Sequence, residues 1–268
     1  MQIALTIAGS DSGGGAGIQA DLKTFQRFGV FGTSVVTAVT AQNTLGVTAV
    51  HTIPAGFVRA QLAALASDLP AAAVKTGMLG SAEVAQVVAG AIDPAIPYVC
   101  DPVIVATSGD RLLDPEAERV LLERLIPLAA VVTPNLDEAA ILAGFSVREP
   151  ASMERAGRAL LELGAAAALV KGGHLRGGVL VDLLVTRDGT RRFEHPRIET
   201  TSTHGTGCTL SAAITAGLAR RVGGRAGGRE VPIDVLIAAV SDAIEYVHRA
   251  IATAPGLGSG HGPVNHGA

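Results

Sequence analysis

The chain has 268 residues, a formal net charge of −3 and 48% hydrophobic residues, which suits one large α/β domain or two small ones. With 3% aromatic residues, no Trp and no basic stripe, it lacks the stacking platforms and positive surface of a nucleic-acid-binding protein. No apolar run is long enough to span a bilayer, no signal peptide is recognisable, and two cysteines predict no disulfide framework. We therefore expect a cytoplasmic protein without nucleic-acid or membrane partners.

Strands and helices alternate along the first half of the chain. A β-rich run over residues 3–8 leads through a Gly-rich turn into a helix over 16–28. The pattern then predicts strands over 34–41 and 46–53, a helix over 54–68, a strand from residue 72, a helix over 81–92, a strand over 97–100 and a helix over 115–126. The continuous apolar run at 34–41 is typical of a parallel sheet covered on both faces.

The second half continues the alternation and ends in two long helices. We predict a strand over 130–133, a helix after Asn135, a helix over 153–163, a strand over 165–170, a hairpin over 179–186 and 191–195, a helix ending near 222, a surface loop over 223–230 and a helix over 232–253. No linker or repeat divides the chain. The predicted fold is a single α/β domain over 1–268, with a doubly wound, mostly parallel sheet and a small antiparallel edge hairpin.

The segment THGTGCTLSAA at 203–213 passes through two glycines into a helical apolar pattern. The N-terminus of a helix offers free N–H groups to an anion, and Gly205 and Gly207 leave room for a phosphate beside the backbone. Cys208 falls in the first turn, where a thiolate is favoured, so we expect a lowered pKa. The alternative is an ordinary loop before a core helix.

Polar or glycine residues end strand after strand: Gly9, Gln42, Lys75, Asp101, Asn135 and Lys171. In a parallel sheet these ends share one edge, where ligands of open α/β sheets bind. An anion-binding loop with nearby Lys, Asp and Glu residues suits phosphoryl transfer. The loose dinucleotide fingerprint at 15–20 lacks an acidic partner over 34–50, so a dehydrogenase is the weakest alternative.

Several ordered motifs together resemble the bacterial phosphomethylpyrimidine kinases over nearly the whole chain. These motifs are GSDSGGGAGIQADLKT at 9–24, AQNT at 41–44, KTGML at 75–79, DPV at 101–103, TPN at 133–135, KGGH at 171–174, THGTGCT at 203–209 and GSGHGPVNH at 258–266. The resemblance implies a ribokinase-like fold and two ATP-dependent steps of thiamine synthesis. They convert 4-amino-5-hydroxymethyl-2-methylpyrimidine to its monophosphate and then to its diphosphate. It also implies Mg²⁺ as cofactor and a homodimer.

The resemblance also implies roles for particular residues. The aminopyrimidine would be bound by Gln42, Asp21 and the backbone near Gly9, between walls formed by Met78 and Val103. The transferring phosphate would lie on Gly205, Thr206 and Gly207, with Cys208 as a hypothetical base for the attacking hydroxyl. Asp101, Asn135 and Glu138 would position Mg²⁺ directly or through water, and Lys171 would neutralise nucleotide phosphate.

Structural roles compete with some of these assignments. Asp21 is also placed to interact with a helix dipole, Glu138 is spaced to complete a capping box with Asn135, and Lys75 is suited to pairing with a carboxylate. The spacing of His174, His204, His261 and His266 matches no zinc signature, so we interpret them as turn or loop residues. Cys100 is expected to be a buried thiol.

Two alternatives to the pyrimidine kinase stay open. Pyridoxal kinases share the resemblance at the N-terminal signature and the glycine loop, but differ where this chain has Gln42, whose side chain offers a donor and an acceptor to an aminopyrimidine edge. The other alternative is a non-catalytic vitamin-binding or regulatory protein of the same fold.

Overall fold

The computed structural model describes residues 1–104, 113–173, 178–222 and 228–268. His174 and most of the loop predicted at 223–230 lie outside these ranges. Within them the predicted alternation of strands and helices is confirmed. No helix in this part of the chain combines the length and apolar character needed to cross a membrane.

One nine-stranded sheet runs through the protein. Its strands are β1 (Ile3–Asp11), β2 (Phe31–Asn43), β3 (Gly46–Thr52), β4 (Ala73–Thr76), β5 (Tyr98–Cys100), β6 (Val131–Val132), β7 (Ala167–Val170), β8 (Val179–Thr186) and β9 (Gly189–Pro196). Their order across the sheet is β3-β2-β1-β4-β5-β6-β7-β8-β9. The six strands from β2 to β7 in this order are parallel, whereas β3 at one edge and the β8–β9 hairpin at the other are antiparallel.

Helices cover both faces of this sheet. They are α1 (Gly17–Arg27), α2 (Ala55–Asp68), α3 (Ala82–Ala89), α4 (Pro115–Val120), α5 (Leu136–Ala143), α6 (Pro150–Glu162), α7 (Thr206–Val222) and α8 (Ile233–Ala252). One large core cluster joins the sheet to α2, α3 and α4, and a second joins it to α1, α7 and α8. The predicted doubly wound, mostly parallel sheet with an antiparallel edge hairpin is thereby confirmed.

Helix boundaries differ from the predictions where proline or turn chemistry acts. The helix predicted over 115–126 continues from α4 as a π-helical turn over Leu121–Leu125 and a 3-10 turn over Ile126–Leu128, within which Pro127 has no N–H to donate. Helix α6 begins before the predicted residue 153, because Glu149 caps its N-terminus and Pro150 occupies the first turn. The hairpin turn is tighter than predicted, since Gly189 already pairs with Thr186.

The parallel strands place the site. Their carboxyl ends lie along one edge of the sheet, so Asp11, Gln42 and Asp101 come together although they lie on or just after different strands. The N-terminus of α7 approaches the same edge, because Thr206 is at its first turn and the helix packs against α1 and α8. The predicted clustering of strand ends with the glycine loop is confirmed.

Candidate active site

A cavity of about 520 Å³ opens at this edge of the sheet. Every residue assigned to the site from the sequence lines it except Asp21: Gly9, Gln42, Met78, Asp101, Val103, Asn135, Glu138, Lys171, Gly205, Thr206, Gly207 and Cys208. Their roles toward ligands stay predictions, but their convergence is a property of the fold.

The loop before α7 depends on a glycine. Gly205 has a φ of +80°, in the region that favours glycine, and a Cβ there would overlap the carbonyl oxygen of Gly15. The side chain of Thr206 donates to the backbone oxygen of Thr203 at 2.7 Å, which fixes the turn into the helix. The first residues of α7 therefore line the cavity, where the free N–H groups of a helix N-terminus favour an anion.

Lys171 and Asp101 lie beside this loop. Lys171 Nζ is 3.4 Å from Asp101 Oδ1, and a Cβ placed on Gly207 would be 3.3 Å from the same Nζ. Burial raises the pKa of Asp101, but the Lys171 and Lys75 charges and hydrogen bonds from Ser211 and Thr133 outweigh it and hold that pKa below its ordinary value. An anion on the loop would thus meet the Lys171 ammonium next to an ionised carboxylate.

Glu138 and Asn135 have two candidate roles from the sequence, a capping box and the positioning of Mg²⁺. Asn135 Oδ1 accepts hydrogen bonds from the N–H groups of Asp137 and Glu138, and Glu138 Oε2 accepts from the N–H of Asn135 at 2.8 Å. This is the predicted capping box at the start of α5, and both side chains also line the cavity. Burial, assisted by the Asp101 charge and opposed by Lys171, raises the pKa of Glu138 to about 7.

The predicted contact between Asp21 and substrate is wrong in its geometry. Asp21 is 0% exposed, and its two carboxylate oxygens accept hydrogen bonds from Lys75 Nζ and Thr6 Oγ1, each at 2.6 Å. It lies behind the cavity wall as the partner of Lys75, which is equally buried. Burial lowers the pKa of Lys75, but the carboxylates of Asp21 and Asp101 outweigh it and hold that pKa above its ordinary value.

The predicted lowering of the Cys208 pKa is also wrong. Burial raises this pKa to about 11, since the favourable Lys75 charge is opposed by Asp21 and Asp101. Cys208 is therefore a thiol at neutral pH, which weakens its assignment as a base. Cys100 is a second free thiol, fully buried as predicted.

Asp11 and His204 are site residues that the sequence reading missed. Asp11 accepts N–H bonds from Gly13, Gly15 and Ala16, so it holds the Gly-rich turn that forms one wall. His204 Nε2 lies 2.9 Å from Asp11 Oδ2. The signal for Asp11 was present, because an Asp before several glycines is typical of a side chain that caps a turn. His204 was read as a loop residue, since its partners are distant in the chain.

Gly9 and Met78 form the opposite wall. A Cβ on Gly9 would lie 2.7 Å from Met78 Cε, so a larger residue there would require the end of the methionine side chain to move. The cavity also has a more apolar end, which the sequence did not indicate, lined by Leu180, Val247 and Ile251. An arrangement with an anion loop, a cation, carboxylates and an apolar end can hold a phosphorylated ligand and a small ring together.

Comparisons with known proteins relate the chain to one family of kinases. Residues 11–265 match the sequence model of the family described as phosphomethylpyrimidine kinase. A hydroxymethylpyrimidine/phosphomethylpyrimidine kinase of Rhizobium meliloti (strain 1021) is 53% identical over 98% of this chain and 96% of its own length. A crystal structure of phosphomethylpyrimidine kinase from Clostridium difficile 630 is 40% identical, with a TM-score of 0.79 over 94% of this chain and 100% of that one.

A second solved structure has a higher TM-score at a slightly lower sequence identity. It is the ADP complex of Bacillus subtilis pyridoxal kinase, 37% identical, with a TM-score of 0.89 over 100% of this chain and 98% of that one. The predicted ribokinase-like fold is confirmed by these matches. Fold similarity alone does not separate the two activities, because both kinases share it.

We predict that Lys75→Met destabilises the protein by about 3–5 kcal/mol, because it leaves the buried Asp21 carboxylate without its cationic partner. Adding Asp21→Asn should recover more than half of that loss. Arg59→Met, at an exposed arginine of α2, serves as control and should change stability by less than about 0.5 kcal/mol. Urea unfolding measures all four proteins. Equal stability of the single Lys75 variant and the double variant would contradict a buried ion pair.

The high pKa of Cys208 predicts slow alkylation at neutral pH. In a Cys100→Ser background, the rate of reaction with iodoacetamide should rise about tenfold per pH unit and keep rising to about pH 10, because only the thiolate reacts. Mass spectrometry of the modified peptide measures this rate. A plateau of the alkylation rate near pH 8 would contradict this prediction. It would mean that the helix N-terminus lowers the Cys208 pKa by more than burial raises it.

Proposed function

The chain belongs to the phosphomethylpyrimidine kinase family, and from that premise we propose that it performs both phosphorylations of the pyrimidine branch of thiamine biosynthesis. The substrate is 4-amino-5-hydroxymethyl-2-methylpyrimidine, and the products are its monophosphate and then its diphosphate, with ATP as donor. The single observation that carries the proposal is one cavity that holds Gln42, the glycine loop before α7 and Lys171 together.

The pyrimidine would bind beside Gln42. A carboxamide offers one donor and one acceptor side by side, which complements the amino group and adjacent ring nitrogen of an aminopyrimidine. Met78 and Val103 line the cavity as apolar walls for the ring, and the backbone at Gly9 lies beside Met78 in the same lining. Asp21 acts only indirectly in this proposal, by holding the buried Lys75 in place.

The transferring phosphoryl group would lie against Gly205, Thr206 and Gly207. Backbone N–H groups at the start of α7 and the Lys171 ammonium face this position, and both favour the negative charge of a phosphoryl group in transfer. Phosphoryl transfer passes through a loose transition state, so positioning and charge neutralisation supply most of the rate. Cys208 as a thiol would contact the reacting groups without removing a proton, and the proton of the attacking hydroxyl would pass to an oxygen of the transferred phosphoryl group.

Asp101 and Glu138 fit a magnesium ion that arrives with the nucleotide. Mg²⁺ is commonly held by one or two carboxylates together with substrate phosphates, and these two carboxylates line the cavity near Lys171. Among the described residues, no group of three or more His, Cys, Asp or Glu side chains could hold a metal ion without such help. When bound, Mg²⁺ would neutralise the charge on the phosphates, with Asn135 orienting Glu138 through the capping box.

We also propose that the enzyme is a cytoplasmic homodimer. Both cysteines are free, as expected in a reducing compartment. Strand β3 lies at the sheet edge, and its neighbourhood exposes Leu45, Val50 and Phe57 at 74%, 48% and 62%. Such an apolar, unpaired edge invites a second copy of the chain.

Product analysis tests the proposed function. Purified protein with Mg-ATP and the pyrimidine alcohol should yield the monophosphate and then the diphosphate. The variant Lys171→Met tests whether the activity belongs to this site. We expect it to lower kcat by about 10² or more, because the variant loses the neutralising cation. This loss would tie the activity to this site and not to a contaminating kinase.

Two outcomes would contradict the proposal. Phosphorylation of pyridoxal alone would place the chain with the vitamin B6 kinases, as the similarity to the Bacillus subtilis enzyme allows. Binding of the pyrimidine without transfer of phosphate would indicate a vitamin-binding protein that has kept the fold of a kinase.

A further inference from the structure

Asp11, His204 and Gln42 form a short polar network at one corner of the cavity. His204 Nε2 lies 2.9 Å from Asp11 Oδ2 and 3.3 Å from Gln42 Nε2. The side chains of Asp11 and His204 are only 4% and 14% exposed. With so little water available to Asp11 and His204, the donor between them needs an acceptor among its neighbours, and this requirement assigns its proton.

Asp11 can only accept. Its Oδ1 accepts from the N–H of Gly13 at 2.7 Å, and its Oδ2 accepts from the N–H groups of Gly15 and Ala16 at 3.0 and 2.8 Å. Burial raises its pKa, but the hydrogen bonds from His204 and the backbone outweigh it and hold that pKa below its ordinary value. The carboxylate is therefore ionised at neutral pH, and His204 Nε2 must carry the proton that joins them.

The proton on His204 decides how the Gln42 carboxamide is turned. An N–H group facing another N–H group has no acceptor, so the end of the carboxamide beside His204 is its oxygen. The two ends have the same shape, and only their hydrogen-bond partners distinguish them. The other end lies 3.1 Å from Thr40 Oγ1, whose single proton has two acceptors at equal distance, this end of the carboxamide and Ser10 O. When Thr40 donates to Ser10 O, its oxygen is free to accept from an NH₂ group.

We propose that His204 is a positioning residue that turns the Gln42 carboxamide with its oxygen toward the glycine loop and its nitrogen toward Thr40. The imidazole does so by donating one proton between Asp11 and Gln42. Gly205 follows His204 directly, so the oxygen end of the carboxamide marks the side of the cavity on which phosphate would bind.

This orientation selects the direction of the substrate ring, a step that rests on the proposed function. The amino group of the pyrimidine would donate to the Gln42 oxygen, and the adjacent ring nitrogen would accept from the Gln42 NH₂ group. The carbon that bears the hydroxymethyl group is the neighbour of the carbon that bears the amino group. The hydroxymethyl group therefore points toward Gly205, whereas a reversed carboxamide would point it away from the loop.

The position of the His204 imidazole is fixed by a backbone hydrogen bond and by packing on both sides of the ring. The backbone N–H of His204 donates to Gly262 O at 3.0 Å. A Cβ on Gly15 would lie 2.6 Å from His204 Cδ2 and 3.0 Å from Pro263 Cβ, so the ring is packed between the first Gly-rich turn and the C-terminal segment 256–268. This contact gives Pro263 a part in holding the imidazole.

Nuclear Overhauser effects (NOEs) in the ligand-free protein test the orientation without any substrate. With ¹⁵N-labelled glutamine, the Gln42 side-chain signal is assigned by its loss in Gln42→Glu. We expect its NH₂ protons to give stronger NOEs to the Thr40 methyl group than to the His204 ring protons. Stronger NOEs to the His204 ring would overturn the proposal.

Kinetics then test the consequence for the reaction. His204→Phe keeps a ring but removes the donor, and we expect kcat/KM for the aminopyrimidine alcohol to fall about 10- to 100-fold. For the analogue without the amino group, the same variant should lose only a few-fold, because that analogue keeps the ring nitrogen that pairs with the Gln42 NH₂ group but has no group to pair with the Gln42 oxygen. His261→Phe, at an exposed histidine outside the cavity, should leave both values unchanged.

Equal losses with both substrates would mean that His204 only supports the loop, and would overturn its role as a positioning residue. The proposed function and the orientation of Gln42 are contradicted by different results. A wild-type protein that leaves the pyrimidine unphosphorylated contradicts the proposed function, and the NOE comparison alone then decides the orientation of Gln42.

Discussion

The active site depends on the contact of two backbones, where Gly205 packs against the carbonyl group of Gly15. Any side chain at Gly205 would overlap that carbonyl, and its positive φ excludes most other residues. The contact joins the turn after the first strand to the turn before α7. His204 and Asp11, which are 193 residues apart in the chain, become hydrogen-bonded neighbours as a result.

A second constraint lies beneath the cavity, where charged groups of opposite sign alternate. Asp21 pairs with Lys75 in the interior, and Asp101 pairs with Lys171 at the cavity wall. Buried charges are costly unless they are paired and hydrogen-bonded, so each of these groups fixes the position of the next. The same negative neighbours, together with burial, keep Cys208 protonated. The site is thus built to stabilise added negative charge at Lys171 without a reactive thiolate.

Much of the fold and site followed from the sequence for identifiable reasons. Apolar β-branched runs predicted the parallel strands, and strand ends in a parallel sheet must share an edge, so Gln42, Asp101 and Lys171 were brought together correctly. The Asn135 cap at α5 was predictable because its partners are local. Helix ends were less well predicted where Pro127 and Pro150 changed the hydrogen-bond pattern.

The sequence-based predictions failed where burial and partners distant in the chain determine the pKa or the hydrogen bonds of a side chain. Helix position favoured a lowered pKa for Cys208, but the burial and carboxylates that raise it come from other strands. Asp21 could not be assigned to Lys75, 54 residues away, because their contact depends on α1 packing against β1 beside β4. The role of His204 likewise depends on Asp11 and Gln42, which no local pattern connects to it.

The central claim is that one cavity orients an aminopyrimidine and receives the phosphoryl donor. A crystal structure of the protein with the pyrimidine alcohol and a non-hydrolysable ATP analogue tests it most directly. The account predicts the aminopyrimidine edge within hydrogen-bonding distance of Gln42, about 3 Å, and the terminal phosphate of the analogue between Lys171 and the glycine loop. A ring bound away from Gln42, or phosphates that avoid the N-terminus of α7, would contradict it.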